Sequence, residues 1–176
     1  YYLQDLESDY NYSLYETENL TGTTDTTANA EIKSFAHFTH TENPYYGYSR
    51  ESGNIAPDGS LVLRVYYTRD SYTVTFDGNG GVYPYYGNET QKTYTVKYGG
   101  KVTAPEFTRT GYTQNGWDQP LPETISENIT LSAARKINQY TLTLVLGGGQ
   151  ENKTITQDYG SAIEVETPER EGYDFN

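Results

Sequence analysis

Apolar and polar residues alternate along two stretches of the chain that resemble each other. In residues 71–77, Tyr72, Val74 and Phe76 are separated by threonines. An apolar residue at every second position is typical of a strand with one buried and one solvent-facing side. The same pattern begins again at Tyr140, 68 residues after Tyr72. A strand that returns at a fixed distance predicts a repeat protein.

Glycine-rich runs follow both of these predicted strands. Residues 77–81 read Asp-Gly-Asn-Gly-Gly, and residues 147–149 are all glycine. Such residues tolerate positive φ, so the chain is expected to turn there. Neither run is followed by the Lys-Ser/Thr pair of a phosphate-binding loop. The first run also lacks the closing carboxylate of a calcium loop, so we interpret it as a turn.

The repeated phrases divide the chain into three predicted modules, residues 1–70, 71–138 and 139–176. A predicted closing strand at residues 128–134 aligns with residues 60–66 at the same offset of 68. Residues 109–112 (Arg-Thr-Gly-Tyr) return as residues 170–173 (Arg-Glu-Gly-Tyr). The third module is expected to be cut short. Without its closing strand we expect an open apolar face over Leu142, Leu144 and Ile155, and no independent stability.

The fold class predicted from these patterns is a β-rich α+β protein made of small tandem modules. The most regular strand outside the two similar stretches is residues 60–69, where the apolar residues again alternate. Residues 28–35 fit either a strand or a short helical turn. Residues 102–110 contain Pro105 and are expected to be irregular, with at most a short helical turn.

Tyrosine is unusually abundant, with 20 Tyr against five Phe and one Trp. Tyrosine and threonine suit half-exposed sheet faces, so we expect thin modules with modest cores. Trp117 is expected to be buried as the largest apolar side chain of its module, and a ligand platform is the alternative. The predicted core of the second module consists of Tyr72, Val74, Phe76, Val96, Trp117, Ile129 and Leu131.

The formal net charge is −12. Residues 1–70 hold 11 acidic and four basic residues, residues 71–138 six of each, and residues 139–176 seven and two. An acidic chain repels nucleic acid and anionic membranes, so neither is expected as a partner. The absence of cysteine excludes disulfides, thiolate metal sites and a cysteine nucleophile. Because no initiator methionine, signal peptide or membrane-length apolar run is present, we expect an excised segment that does not insert into a membrane.

Two tyrosine-rich loops are the candidate sites for a ligand or partner. Both contain Pro-Tyr-Tyr-Gly, at residues 44–47 and 84–87. Exposed tyrosines give a large contact area at low entropic cost, although these rings could instead fold back onto the thin modules. The candidate contact residues are Tyr45, Tyr46, Tyr48, Tyr83, Tyr85 and Tyr86.

No pattern of catalytic residues stands out. No histidine lies within a nucleophile motif, so no enzymatic activity and no cofactor are expected. His37 and His40 are the only histidines, and residues three apart on a strand point to opposite faces. A metal site is therefore not expected there.

Several phrases of the second module together resemble the internalin-type B repeat, also called the Listeria–Bacteroides repeat. They are residues 72–81, Tyr98-Gly99, Pro105, residues 108–112, Gly116-Trp117 and residues 129–131. The resemblance implies a β-grasp-like, ubiquitin-like unit that is strung in tandem on bacterial surface proteins, with no catalytic residues. The opening of the first module is similar instead to modules of mucin-binding proteins.

The function expected from the repeats and the resemblance is a non-enzymatic stalk and adhesion or protein-interaction segment of a bacterial cell-surface or secreted protein. Its partner would be a host or bacterial surface protein or a glycan. Two alternatives remain open. One is a glycan- or mucin-binding module, and the other is an accessory region of a secreted hydrolase.

Overall fold

The structure is a computed structural model that describes residues 1–44, 49–85, 87–146, 150–167, 169 and 171–172. Within these residues all regular secondary structure is β-strand. The expected α+β class is therefore wrong, since the described residues near 28–35 and 102–110 form no helical turn. The β-grasp arrangement is not confirmed. The described chain also has no helix of the length and apolarity needed to cross a membrane.

Residues 1–70 contain six short strands. They are β1 (Tyr2–Gln4), β2 (Tyr12–Leu14), β3 (Thr27–Asn29), β4 (Phe38–Thr41), β5 (Ser52–Asn54) and β6 (Tyr66–Arg69). Four of them form a mixed sheet in the order β2-β1-β6-β4. In this sheet β1 runs parallel to β6 and antiparallel to β2, while β4 runs antiparallel to β6. The remaining two, β3 and β5, pair as a separate antiparallel ribbon.

The later strands form a second sheet and a hairpin. They are β7 (Ser71–Asp77), β8 (Gln91–Lys97), β9 (Tyr112–Trp117), β10 (Ile129–Ile137), β11 (Gln139–Leu144) and β12 (Lys153–Asp158). The sheet has the order β8-β7-β10-β9, and β11 pairs antiparallel with β12. Both four-stranded sheets thus have the same order when their own four strands are counted along the chain. The second strand lies at one edge beside the first, and the third lies at the other edge beside the fourth. The first 70 residues share this order although their sequence matches the later repeats mainly at the closing strand.

The chain separates into two compact units. The first comprises residues 1–75, 93–103 and 122–130, and the second comprises residues 76–92, 104–121 and 131–176. The first unit buries Val65, Tyr67, Val74 and Ile125. The second unit buries Phe76, Phe107, Leu131 and Ala133. Because these units cut across the predicted modules, the module boundaries stay a prediction.

The residues expected in the second core differ in their burial. Val74, Phe76 and Leu131 are fully buried. The other four are half-buried: Tyr72, Val96, Trp117 and Ile129. Trp117 therefore keeps part of its indole exposed to solvent.

Some predicted strands are shorter or longer than expected. Residues 60–65 form no continuous strand, and only Tyr66–Arg69 is paired along its length. Val65 and Tyr67 are buried while Val62 and Arg64 are exposed, so the predicted alternation of faces is still present. The closing strand β10 continues beyond the predicted residue 134 to Ile137.

Candidate interaction surface

The described part of the second tyrosine loop combines one packed tyrosine with one exposed tyrosine. Tyr83 is half-buried, and its ring lies 6.0 Å from the ring of Phe107 between centroids. The ammonium group of Lys92 lies 5.1 Å above the Tyr83 ring. Tyr85 contacts Tyr83 edge-on at 5.5 Å, but 76 % of Tyr85 is exposed. Tyr83 therefore anchors the loop, and Tyr85 presents a free aromatic face.

Four of the six candidate tyrosines cannot be placed in this surface. They lie outside the described residues: Tyr45, Tyr46, Tyr48 and Tyr86. The first Pro-Tyr-Tyr-Gly loop is described only at Pro44, which is buried. The proposed role of all six tyrosines in binding stays a prediction.

An open groove of about 1000 Å³ lies in the same unit. Trp117 lines it and packs against Phe76 at 4.9 Å and Phe107 at 6.1 Å between ring centroids. Gly116, which precedes the tryptophan, has φ +111°, and a Cβ atom there would meet no described atom within 4 Å. The indole is thus held by two aromatic rings and faces the groove. An aromatic ring held in this way can stack against a sugar or a peptide.

The glycine-rich turn at residues 77–81 packs against arginine and phenylalanine side chains. Arg135 donates from Nε and Nη2 to the carbonyl of Gly78 at 3.0 and 2.5 Å. A Cβ atom on Gly81 would overlap this guanidinium, and one on Gly78 would lie 2.7 Å from Phe107. The glycines are therefore required by close packing of side chains onto the backbone. This packing accounts for the glycines of the turn, so no bound phosphate is needed to explain them.

Two arginines and one aspartate set the charges around this turn. Arg109 donates to the carbonyl of Asn79 at 3.1 Å and lies 4.2 Å above the Tyr112 ring. Burial lowers the pKa of Arg135 from its usual value, and the charge of Arg109 lowers it further. Hydrogen bonds from the Asn79 amide and then from Gln91 hold the pKa of Asp77 below its ordinary value.

The two histidines have separate partners. His37 Nδ1 lies 2.8 Å from the Tyr72 hydroxyl, and His40 Nε2 lies 2.6 Å from Glu51 Oε1. Burial alone would raise the pKa of Glu51, but hydrogen bonds from Ser49 and His40 outweigh it and leave the pKa lowered. Among the residues that the structure describes, no three His, Cys, Asp or Glu side chains are grouped so that they could hold a metal.

A single residue joins successive strands at two points of the chain. Asp70 lies between β6 and β7, and Asn138 lies between β10 and β11. The amide of Asp70 donates to the carbonyl of His37 at 2.9 Å. The carbonyl of Asp70 accepts from the amide of Tyr98 at 2.7 Å. We call His37, Asp70 and Tyr98 the first joint.

Residues Gly111, Asn138 and Tyr159 form a second joint with the same hydrogen bonds. The amide of Asn138 donates to the carbonyl of Gly111 at 2.9 Å, and the amide of Tyr159 donates to the carbonyl of Asn138 at 2.8 Å. We call Tyr98 and Tyr159 the docking tyrosines. His37 and Gly111 are the acceptor residues of the two joints.

Both acceptor residues have left-handed backbone conformations. The φ angle is +66° at His37 and +77° at Gly111. The Tyr98 ring stacks on the His37 imidazole with centroids 4.0 Å apart, and the Tyr159 ring lies directly against Gly111. A Cβ atom on Gly111 would overlap that ring. The first joint therefore places an imidazole where the second has only a glycine.

The next residue supplies a second aromatic contact in both joints. Phe38 meets Tyr98 edge-on at 6.0 Å and 78°, and Tyr112 meets Tyr159 at 6.4 Å and 70°. Sequence reasoning did not identify these joints as sites. The recurrence of Tyr-Gly at Tyr98 and Tyr159 and of Gly-Tyr at Gly111 was the available signal. The equivalence of His37 with Gly111 left no signal in the sequence.

Comparison with known proteins gives a family match after residue 71. The model of the Listeria-Bacteroides repeat domain matches residues 72–134 and 140–176. The match does not reach the first 71 residues, and a mucin-binding module is not shown there. No solved structure matches the chain.

Two curated relatives come from Evansella cellulosilytica. One, named "Putative membrane protein", is 34% identical over 127 residues, which cover 66% of this chain and 18% of the relative. Another, named "Putative Gly-rich membrane protein", is 32% identical over 115 residues, which cover 59% of this chain and 12% of the relative. The chain thus spans less than a fifth of the length of these relatives.

Proposed function

Because the chain belongs to the Listeria-Bacteroides repeat domain family, we propose that it is a spacer and protein-interaction segment of a bacterial cell-envelope protein. Modules of this family are typical of bacterial surface proteins, and both relatives above are named as membrane proteins. The proposed role needs no catalytic residue and no cofactor. It places the segment outside the cell, where a partner can reach it.

The repeated joint is the observation that carries the spacer role. Two joints 68 residues apart at Asp70 and Asn138 use the same pair of backbone hydrogen bonds and an aromatic docking residue. A linker of one residue with two hydrogen bonds leaves little freedom for the strands on either side. A chain of such joints would transmit position along a stalk, which a flexible linker would not do.

Distance measurements between spin labels test the spacer role. The chain has no cysteine, so single cysteines can be introduced without removing native thiols at two exposed positions of the second unit, Asn115 in β9 and Thr154 in β12. We expect a narrow distribution of distances between labels at these positions in the otherwise unchanged protein. Tyr159→Ala should broaden the distribution because it removes the ring of the second joint. Tyr85→Ala is the matched control, since Tyr85 is equally aromatic but exposed.

A broad distribution in the protein without further substitution would contradict the spacer role. The same conclusion would follow if Tyr159→Ala and Tyr85→Ala both left a narrow distribution unchanged, because the joint would then not be what holds the segments. A change limited to Tyr159→Ala supports the proposal.

A second candidate function, recognition of a glycan or protein partner, is favoured by the exposed face of Tyr85. This ring is held at one edge by Tyr83 and is 76 % exposed. In the same unit, Trp117 faces an open groove. Aromatic faces on a rigid sheet are suited to stacking against sugar rings and to forming protein contacts.

A glycan array tests this second function. The wild-type chain is compared with the quadruple variant in which Tyr45, Tyr46, Tyr85 and Tyr86 are changed to alanine, and with Trp117→Ala. Binding that is lost in the quadruple variant supports the tyrosine loops as the site. Binding that survives in it but is lost in Trp117→Ala would move the site to the groove. Binding that survives both changes would remove both surfaces from consideration.

A further inference from the structure

A β-bulge in β9 decides which face of the second sheet carries Trp117. Strand β9 pairs with β10 at Gln114 opposite Arg135 and again at Trp117 opposite Ala133. Between these pairs, two residues of β9 lie opposite a single residue of β10. Five residues apart on a regular strand, Tyr112 and Trp117 would point to opposite faces, but the extra residue brings them to the same face. Both side chains line the groove.

The bulge also leaves open space beside the indole. Its two residues, Asn115 and Gly116, are exposed. Gly116 has no side chain, and its φ of +111° is one that other residues rarely adopt. The Trp117 ring is therefore held by the aromatic rings beneath it and is bordered by the groove. A flat ring in this position is suited to stacking on the apolar face of a sugar.

Arg109 supplies a positive charge in the same groove. Its guanidinium is held 4.2 Å above the Tyr112 ring, and Nη1 donates to the carbonyl of Asn79 at 3.1 Å. These contacts fix the group but use only one of its N–H donors. Among the described residues, no carboxylate lies within ion-pair distance of Arg109. An arginine fork that is fixed and exposed is suited to binding a carboxylate through two hydrogen bonds.

The indole and the guanidinium lie too far apart for one sugar ring. Strand residues rise about 3.3 Å each, so the five steps from Tyr112 to Trp117 span roughly 15 Å. Arg109 covers Tyr112, so its charge lies toward the other end of β9 from Trp117. A single ring cannot reach both groups, whereas a short oligosaccharide can.

The other polar groups of the groove favour a sugar over an acidic peptide. The lining contains one carboxylate, the exposed Glu106, against the one guanidinium of Arg109. Acidic peptide motifs are recognised by clusters of arginines, and this lining has only one. Three threonines add neutral hydroxyls, at Thr108, Thr110 and Thr113. This set matches a ligand with a single carboxylate among many hydroxyls.

We propose that the groove binds an acidic oligosaccharide. One sugar ring stacks on Trp117, and the carboxylate of a uronic acid further along the chain accepts hydrogen bonds from Arg109. This inference rests on the second candidate function, recognition through aromatic faces, and names the class of its ligand.

A fluorescence titration of the full chain tests the inference, because Trp117 is its only tryptophan. The probe is a trisaccharide in which one glucuronic acid is joined to two neutral sugars. We expect a saturable change in tryptophan emission and an affinity that falls with added salt, since salt screens the exposed charges. The methyl ester of the same trisaccharide lacks only the charge and should bind about tenfold more weakly.

Two variants separate the charge from the stacking. Arg109→Gln should bind the acid and its methyl ester equally, because the group that distinguishes them is removed. Arg64→Gln is the matched control, since Arg64 is also exposed but does not line the groove. Trp117→Phe, followed by isothermal titration calorimetry, should weaken the binding of acid and ester alike. The comparison of acid and ester on the unchanged protein stays decisive even if a variant fails to fold.

Equal binding of the acid and the ester to the unchanged protein would overturn the inference and leave glycan recognition standing. Binding of neither would overturn both for this groove. An Arg109→Gln variant that still prefers the acid would place the carboxylate elsewhere and would also overturn the inference. A glutamate hexapeptide that displaces the trisaccharide and binds more tightly would assign the groove to acidic peptides instead.

Discussion

The ring of Tyr159 lies against the α-carbon of Gly111, in the space that the Cβ atom of any other residue would fill. The left-handed backbone of Gly111 points its carbonyl at the linking residue Asn138, whose own carbonyl holds Tyr159. One glycine therefore supplies both the conformation and the space that this joint needs. The hairpin of β11 and β12 is attached to the second sheet at this point.

Gly111→Ala should detach that hairpin. The substitution combines backbone strain with a clash against Tyr159, and strain of this kind costs about 1–3 kcal/mol. A two-stranded hairpin is marginally stable alone, so its amides should lose protection from hydrogen exchange in β11 and β12 while those in β7 change little.

Gly160→Ala provides the control for this exchange measurement. Gly160 lies beside Tyr159 and has a similar φ of +79°, but a Cβ atom there would meet no described atom within 4 Å. Its backbone strain is thus comparable and its steric effect is absent. Equal loss of protection in the two alanine variants would show that backbone strain alone, and not the clash with the Tyr159 ring, detaches the hairpin.

Truncating Phe76 should destabilise the protein more than truncating Trp117. Phe76 is fully buried, and removing a buried aromatic side chain typically costs about 3–5 kcal/mol. Trp117 is only half-buried against Phe76 and Phe107, so we expect Trp117→Ala to cost about 2 kcal/mol. Urea unfolding followed by circular dichroism measures both. A larger loss for Trp117→Ala would show that the groove is closed in solution.

Gln4 should contribute more to stability than the ion pair beside it. Its buried side chain accepts a hydrogen bond from the Arg69 amide at 3.0 Å and donates one to the Asp9 carbonyl at 2.9 Å. Gln4→Leu leaves the Arg69 amide without that partner, which should cost about 1–3 kcal/mol in thermal unfolding.

Asp9→Ala tests the neighbouring ion pair with Lys97, whose atoms are 2.7 Å apart. The Asp9 side chain is 70% exposed, so its loss should cost less than about 1 kcal/mol. If Asp9→Ala lowers the stability as much as Gln4→Leu does, the prediction is wrong, because the ion pair then contributes as much as the buried amide.

The charge of Asp77 should stabilise the glycine turn in a pH-dependent way. Its two oxygens accept hydrogen bonds from the Asn79 amide and from Gln91, both at 2.6 Å, and its pKa is lowered. A lowered pKa in the folded state gives stability that is present above the ordinary aspartate pKa of about 3.9 and is lost as the pH falls through the lowered value.

Asp77→Asn should therefore reduce the free energy of unfolding at neutral pH by about 1 kcal/mol, and the difference should disappear in strong acid. Urea unfolding of wild type and variant over a pH series measures this. Glu106→Gln, at an exposed position, serves as the control and should show no comparable effect. A difference between Asp77→Asn and wild type that is the same at every pH would assign the effect to geometry and not to charge.

The local patterns of the sequence predicted where the repeated strands lie. The alternation at Tyr72, Val74 and Phe76 predicted β7, and its return at Tyr140 predicted β11. These predictions succeeded because a half-buried strand imposes a period of two on neighbouring residues. The family resemblance after residue 71 was likewise carried by short phrases of neighbouring residues and is confirmed.

Other features could not be predicted from the sequence because they depend on contacts between distant residues. Phe107 and Ile125 are buried but lie in irregular segments, where no periodic pattern points to a core position. The degree to which Phe76 and Phe107 cover Trp117 is one such feature, which composition does not reveal. The expected core role of Trp117 stays a prediction. The sequence left a strand or a helical turn open at residues 28–35, and allowed a short helical turn at residues 102–110. No helical turn is present in these described residues, where β3 pairs with β5 and isolated bridges pair Phe35, Thr108 and Arg109.

The sequence by itself determined the spacing of the repeated strands, the alternating faces of the strands and the position of the glycine turn at residues 77–81; the second glycine run, residues 147–149, lies outside the described residues. Each of these features depends on residues that are neighbours along the chain. Only the tertiary structure decided that His37 takes the position in the first joint that Gly111 takes in the second. It also decided that Tyr98 packs on His37 and Tyr159 on Gly111. The physical reason is that a joint is defined by a left-handed φ angle and by backbone hydrogen bonds across tens of residues. Residues as different as histidine and glycine can both satisfy that requirement.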